Sequence, residues 1–290
     1  VEFLSEYGMF VAKVVTIVIA IVVVISAVSA SGGRGRRAGK KGTVRVSKLN
    51  EHFEELRDSL REVVLDKQSL KSLRKEEKKQ AKADKKEAKA VLKNQSDDDP
   101  GEISTAGNTK RVYVINFKGN VAADAVVSLR EEISAILSLA TPNDEVLVRL
   151  ESPGGMVHAY GLASSQLVRL KHAQIPLTVC VDKVAASGGY MMACLANKLV
   201  AAPFAIIGSI GVLVQLPNFH RVLKKHEVDY EIISAGEFKR TLTTFGEITE
   251  KGRDKVREDV ETIHGIFKRW VKEHRPSVDI DKIATGETWL

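Results

Sequence analysis

Cysteine is scarce: Cys180 and Cys194 are the only two in 290 residues, and both lie inside apolar runs. Two thiols so placed exclude a disulfide framework and read as free, buried side chains. The seven histidines are dispersed and none shares a zinc-type spacing with a cysteine, so no metal or other cofactor is expected. Aromatic residues make up 6% of the chain, and the Lys-rich stretch 74–93 has none. Without stacking platforms, and with acidic residues interleaved, that stretch is not expected to bind nucleic acid despite a formal charge of +7. Also missing is a G-x-S-x-G elbow around Ser187, where Ala185 stands in the first glycine position.

What is present divides the chain in three. In residues 1–33 no charge occurs between Val14 and Gly33, and Val14 to Val28 is almost wholly Val, Ile and Ala. This predicts a transmembrane helix over about residues 10–30, long enough for a hydrocarbon core of about 30 Å. Val28-Ser29-Ala30 would also suit signal-peptide cleavage, but Glu2 and Glu6 with only Lys13 make a poor signal start. Arg34, Arg36, Arg37, Lys40, Lys41 and Arg45 follow the run, which predicts a single pass with the C-terminal bulk in the cytoplasm. Residues 34–109 read as a charged helical stalk and linker. Leu49, Phe53, Leu56, Leu60 and Val63 recur at spacings of four and three, the seam of a helix that packs on another and a candidate subunit contact. Arg74 to Lys93 is then a solvated helix or tether, whose lysines would be drawn to anionic lipid near the anchor. Ser96-Asp97-Asp98-Asp99-Pro100-Gly101 ends it.

Residues 110–290 alternate strand and helix. Strands are predicted at Val112–Phe117, Val146–Leu150, Leu177–Val181, Leu199–Ala202 and Ile206–Val214, with another at Tyr230–Ile233. Between them Asp124 can cap a helix bearing Val126, Leu129, Ile133, Ile136, Leu137 and Ala140, and a second helix carries Leu162, Leu167 and Leu170. Helical character returns at Asn218–Lys225 and at Glu250–Glu273, where Val256, Val260, Ile263, Phe267 and Trp270 make an apolar face. The fold class is therefore α/β, a mostly parallel sheet with crossover helices. Two glycine pairs, Gly154-Gly155 and Gly188-Gly189, each follow a strand. If those strands are neighbours, the backbone N–H groups of the two turns can converge on an oxyanion. Taken singly, each pair is equally an ordinary tight turn.

The ordered set Ser152-Pro153-Gly154-Gly155, Ala185-Ala186-Ser187-Gly188-Gly189-Tyr190, Gly208-Ser209-Ile210-Gly211-Val212 and Gly236-Glu237-Phe238-Lys239-Arg240 resembles the signal peptide peptidase A family, peptidase family S49, of membrane-bound serine proteases. The resemblance implies a ClpP- and crotonase-like fold and a Ser–Lys dyad, with Ser187 as nucleophile and Lys239 as general base. It also implies that Ser209 hydrogen-bonds the base, and that the amide of Gly188, with that of Gly154 or Gly155, forms the oxyanion hole. Further implications are peptide substrates such as remnant signal peptides or membrane-derived fragments, a bacterial inner-membrane location and assembly into a homo-oligomer. Against the family pattern the chain begins with Val and stops at Leu290, before a final helix and strand, which suggests an incomplete C-terminal end.

The chemistry stands beside the resemblance. A serine hydroxyl is a poor nucleophile unless a neighbour takes its proton, and an amine can do so only when burial keeps it neutral. His158, close after Gly155, offers a histidine base with Asp182 as its orienting partner, but without the elbow motif it reads as a pocket or surface residue. A crotonase-type acyl-CoA enzyme would need the same N–H donors without Ser187 or Lys239, and a catalytically silent membrane scaffold would need only the stalk and fold.

Overall fold

The computed structural model describes residues 13, 15–17, 44–94 and 110–289. The anchor expected over residues 10–30 lies outside these except at Lys13 and residues 15–17, which are helical. Among the described residues no helix is long and apolar enough to cross a membrane.

The stalk is a helical hairpin, α1 (Leu49–Val64) and α2 (Lys67–Asn94). Asp66 makes the turn between them, its carboxylate accepting from the amides of Gln68 at 2.9 Å and Ser69 at 2.7 Å. These bonds satisfy helix-start donors and hold the carboxyl below its ordinary range, the Ser69 amide being the largest cause. Arg61 with Glu77 and Arg74 with Glu62 then pair across the hairpin, at 2.7 and 2.5 Å. The seam lies on α1 where its spacing puts it, yet Leu49, Phe53, Leu56, Leu60 and Val63 are all exposed.

The α/β part runs β1 (Val112–Lys118), α3 (Val126–Leu137), β2 (Glu145–Glu151), α4 (Val157–His172), β3 (Leu177–Val181), β4 (Val184–Ala186), α5 (Gly188–Ala193), β5 (Lys198–Ala201) and β6 (Ile206–Gly208). After these come α6 (His220–Lys225), α7 (Glu250–His274), α8 (Ile280–Ile283) and β7 (Thr288–Trp289). The main sheet has the order β1-β2-β3-β5 and every pairing in it is parallel. A smaller sheet has the order β4-β6-β7, parallel between β4 and β6 and antiparallel between β6 and β7. The two meet where Ser152, just past β2, bridges Ala185 of β4.

Alternation on β2 buries Val146, Val148 and Leu150, and they share one core with Leu129 and Ile133 of α3 and Leu167 and Leu170 of α4. Leu162, expected beside them, is exposed. Asp124 does not cap α3: the N-cap is Ala125, and Asp124 instead exchanges hydrogen bonds with Asn120. Asp144, 2% exposed, ties the bottom of the sheet together by accepting from the Arg111 guanidinium, the Arg111 amide and Thr141. The Arg111 side chain beside it, more than any other partner, holds its carboxyl well below the usual carboxylate range.

From β6 onward two strand expectations fail. The strand expected over Ile206–Val214 stops at Gly208, because Gly208 and Ser209 both take positive φ (94° and 51°) and turn the chain out of the sheet. No strand forms at Tyr230–Ile233, and residues 231–240 are exposed throughout. Order returns at α7, capped by the Thr249 hydroxyl, which accepts from Gly252 N at 3.1 Å. Phe267 of its predicted face is buried, and Val256, Val260, Ile263 and Trp270 are half-buried.

Candidate active site

Ser187 stands alone between a strand and a helix. β4 ends at Ala186, α5 begins at Gly188, and Ser187 takes φ 50° and ψ −117°, a conformation costly for a residue with a Cβ. The turn is held from both sides: Ser187 N donates to Gly208 O at 2.8 Å, and Ser187 O accepts from Met191 N at 2.9 Å. This is the sharp strand-to-helix turn that exposes a nucleophilic serine in other hydrolases, built here without the glycine usually found two residues earlier. The strand that supports it, β4, was not legible beforehand; only three residues long, it is fixed by a tertiary pairing with β6.

The two glycine turns do converge. Ser152 N donates to Val184 O at 2.8 Å and Ala186 N to Ser152 O at 3.0 Å, so the Ser152–Gly155 turn lies alongside the Ser187 turn. A Cβ added to Gly154, whose φ is +91°, would fall 2.7 Å from Gly188 N and from the Ser187 Cβ. Only glycine permits that approach. The donors are not equivalent, because Gly154 N is already given to Ser152 Oγ at 3.1 Å. The amides of Gly155 and Gly188 make no hydrogen bond among the described residues, which leaves these two for an oxyanion.

Beneath the turns is a buried polar clamp that the sequence did not announce. Tyr160 Oη lies 2.6 Å from Ser152 Oγ and donates to Asn120 O at 2.8 Å. With that proton so placed, Ser152 Oγ donates to the phenol oxygen and accepts from Gly154. The Tyr160 ring is fully buried and forms the floor under Gly188: a Cβ there would sit 2.7 Å from Tyr160 Cδ2. Tyr160 thus fixes both turns at once. Burial pushes its phenol up from the ordinary value of 10.0, which keeps it a neutral donor.

A groove of about 240 Å³ opens at Ser187 and Gly188, walled by Val157, Met191, Phe267 and Trp270. Trp270 is set by its indole N–H, which donates to Met191 O at 3.0 Å. Neither His158 nor Asp182 lines this groove; His158 is exposed and Asp182 pairs with Arg149 at 3.6 Å. The structure therefore offers the histidine reading no support.

Lys239 is placed differently from Ser187. It lies in the exposed segment before α7, and its neighbour Phe238 packs against the ammonium groups of Lys251 and Lys255 at 5.7 and 6.0 Å. Those lysines precede the groove residue Ile263 on α7 by eight residues or more, about 12 Å along a helix. Lys239 is not among the residues that line the groove, and no hydrogen bond joins its amine to Ser187 among the described residues. Ser209 is likewise engaged elsewhere: its amide donates to Glu287 O at 2.7 Å and its hydroxyl to Gly286 O at 3.3 Å.

Comparison with known proteins decides the family. Residues 2–167 match the model of the peptidase family S49 N-terminal region and residues 169–290 that of peptidase family S49. The chain belongs to peptidase family S49. It is 49% identical over 289 residues to the probable protease SohB of Haemophilus influenzae, covering 100% of this chain and 80% of that one. It is 58% identical over 183 residues to the probable protease SohB of Buchnera aphidicola subsp. Schlechtendalia chinensis, covering 63% and 60%. A more distant relative, protease 4 of Haemophilus influenzae, is 27% identical over 188 residues, covering 62% and 30%. These relatives make the chain a member of a protease family and leave its chemistry to be argued from the site.

Proposed function

We propose that this chain is a membrane-anchored serine endopeptidase that cleaves peptides by acyl transfer, with Ser187 as nucleophile and Lys239 as general base. The observation that carries the reading is the strained Ser187 turn, its hydroxyl free in an apolar groove and two unengaged amides, Gly155 and Gly188, beside it. Such strain is retained where it aims a reacting group. Attack of the Ser187 oxygen on a peptide carbonyl moves the carbonyl electrons onto oxygen, where the two amides receive them. The serine proton passes to the base and then to the leaving amine; water repeats the cycle on the acyl-enzyme. Lys239 serves as that base once the largely exposed segment 212–249 is covered on assembly of the homo-oligomer, which buries the amine and brings it to the groove.

The smaller β4–β6 layer set beside the main sheet supports a ClpP- and crotonase-like fold. The uncharged run 14–33 supports a single-pass anchor in a bacterial inner membrane, the basic flank 34–45 supports a cytoplasmic catalytic part near anionic lipid, and an apolar groove suits remnant signal peptides or membrane-derived fragments. The crotonase alternative shares the amide pair but gives no use to the strained serine. In a peptide-cleavage assay on the detergent-solubilised protein, Ser187→Ala and Lys239→Ala should each abolish turnover, while His158→Ala retains most of it. Full activity in Ser187→Ala ends the proposal.

A further inference from the structure

Behind α5, away from the groove, three buried nitrogens have no hydrogen-bond partner among the described residues. Trp270 separates this place from the groove: its indole bonds Met191 O on one side and meets the His274 ring edge-on at 4.5 Å on the other. His274 Nδ1 lies 3.4 Å from Lys171 Nζ. An ammonium can only donate, so Nδ1 is the acceptor and the ring proton resides on Nε2. Burial, with Lys171 next, lowers the His274 pKa and favours this neutral ring. His274 Nε2 is itself buried and without a hydrogen-bond partner, and so are Nε and Nη2 of Arg275, the following residue.

The pattern on Arg275 is specific. Nε and Nη2 present their N–H groups along the same side of the planar guanidinium, the edge that grips a carboxylate through two parallel hydrogen bonds. Arg275 is half-buried, but the two N–H groups of that edge are buried and unpartnered, a costly arrangement that calls for an acceptor. Among the described residues Arg275 forms no ion pair, and its acidic near neighbour in sequence, Glu273, is exposed. The thiol nearby does not serve either, since burial pushes Cys194 up to about 12 and keeps it protonated.

We propose that Arg275 and His274 form a carboxylate-binding site behind α5, the guanidinium edge taking both oxygens and His274 Nε2–H supplying a third hydrogen bond. The guanidinium edge offers two parallel N–H groups in one plane, which match the two oxygens of a carboxylate, and the Lys171 ammonium beyond His274 adds to the attraction for an anion. The carboxylate comes either from a small free acid, such as the C-terminus of a peptide, or from the protein's own polypeptide.

The test uses the detergent-solubilised protein carrying Trp289→Phe, which leaves Trp270 as the sole indole, titrated at constant ionic strength with acetate, a tetrapeptide acid, its amide, and inorganic phosphate. For a free carboxylate, acetate or the peptide acid raises Tm and changes Trp270 emission saturably, the amide and phosphate do neither, and Arg275→Lys removes the response. For a carboxylate of the polypeptide, no titrant acts, and Arg275→Lys and Arg275→Leu both lower Tm by about 4 °C or more, the lysine failing to rescue. The proposal is overturned if phosphate alone binds. It is equally overturned if no titrant acts while Arg275→Lys keeps the parent Tm, a variant that decides the matter should Arg275→Leu not fold.

Discussion

Ser187 and Lys239 come from two regions built in opposite ways. Around Ser187 every turn is tied: β4 is bonded to the end of β2 and to β6, Gly154 is clamped through Ser152 to Tyr160, and the core below is close-packed. Around Lys239 the chain from Leu213 to Phe245 has one short helix and leaves Leu213, Val214, Ile233 and Phe238 in solvent, Ile233 at 92% exposure. Scattered exposed apolar side chains mean little, but several within one segment are what the proposed subunit contact would cover. The proposed nucleophile and the two amides beside it thus lie together in one tightly bonded region, whereas the proposed base, Lys239, lies in an exposed segment.

That contrast can be broken at graded cost. Gly188→Ala should have the largest effect, because the new Cβ meets the fully buried Tyr160 ring and displaces the amide proposed to receive the oxyanion: turnover should fall by about 10²-fold or more, measured against a parent of equal concentration. Asp144→Ala should lower unfolding stability by about 2 kcal/mol in a denaturant titration, since it strands partners on Arg111 and Thr141. The carboxyl is depressed below its ordinary 3.8, so its stabilisation is whole above that pH and is lost as pH falls below it. The stability difference between parent and Asp144→Ala should therefore shrink below about pH 4 and stay constant from pH 5 to 8. A difference that grew on acidification would contradict the assignment.

Tyr160→Phe keeps the floor under Gly188 and removes only the hydroxyl. We expect a stability loss of about 1 kcal/mol with a several-fold fall in kcat and little change in KM, because the clamp positions the oxyanion donors without touching the rest of the substrate. A change confined to KM would mean the clamp shapes the groove instead. Smallest of all, Ile233→Asp should leave the unfolding stability within about 0.5 kcal/mol of the parent, as expected of an exposed site, while weakening self-association in sedimentation. A cooperative loss of folding in Ile233→Asp would show that the segment is already packed within one chain.

The same division governs what could be read from the residues. Strands β1, β2 and β3 appeared within a residue of their predicted ends because buried parallel strands are written as Val- and Ile-rich runs between turn signals. The convergence of the two glycine turns was legible as a conditional: β2 and β3, the strands expected before them, are neighbours, and the unexpected β4, bridged from Ser152 to Ala185, carries the second turn to the first. What was not legible depended on distant partners. Strand β4 exists because of its pairing with β6; Tyr160 reads as one more apolar residue on α4 until Ser152 and Asn120 meet its hydroxyl; and Tyr230–Ile233 has strand-like composition but no neighbour to bond. Gly154 and Gly155 are alike in sequence, and only the hydrogen bond from Gly154 to Ser152 separates the spent donor from the free one.

The central claim is that Ser187 is a nucleophile prepared by its own turn. A fluorophosphonate probe on the detergent-solubilised protein, followed by peptide mass mapping, tests this directly. The account predicts a single adduct on Ser187, absent in Ser187→Ala and strongly slowed in Lys239→Ala. An adduct that forms undiminished in Ser187→Ala, or a folded and assembled parent that takes no label, would contradict it.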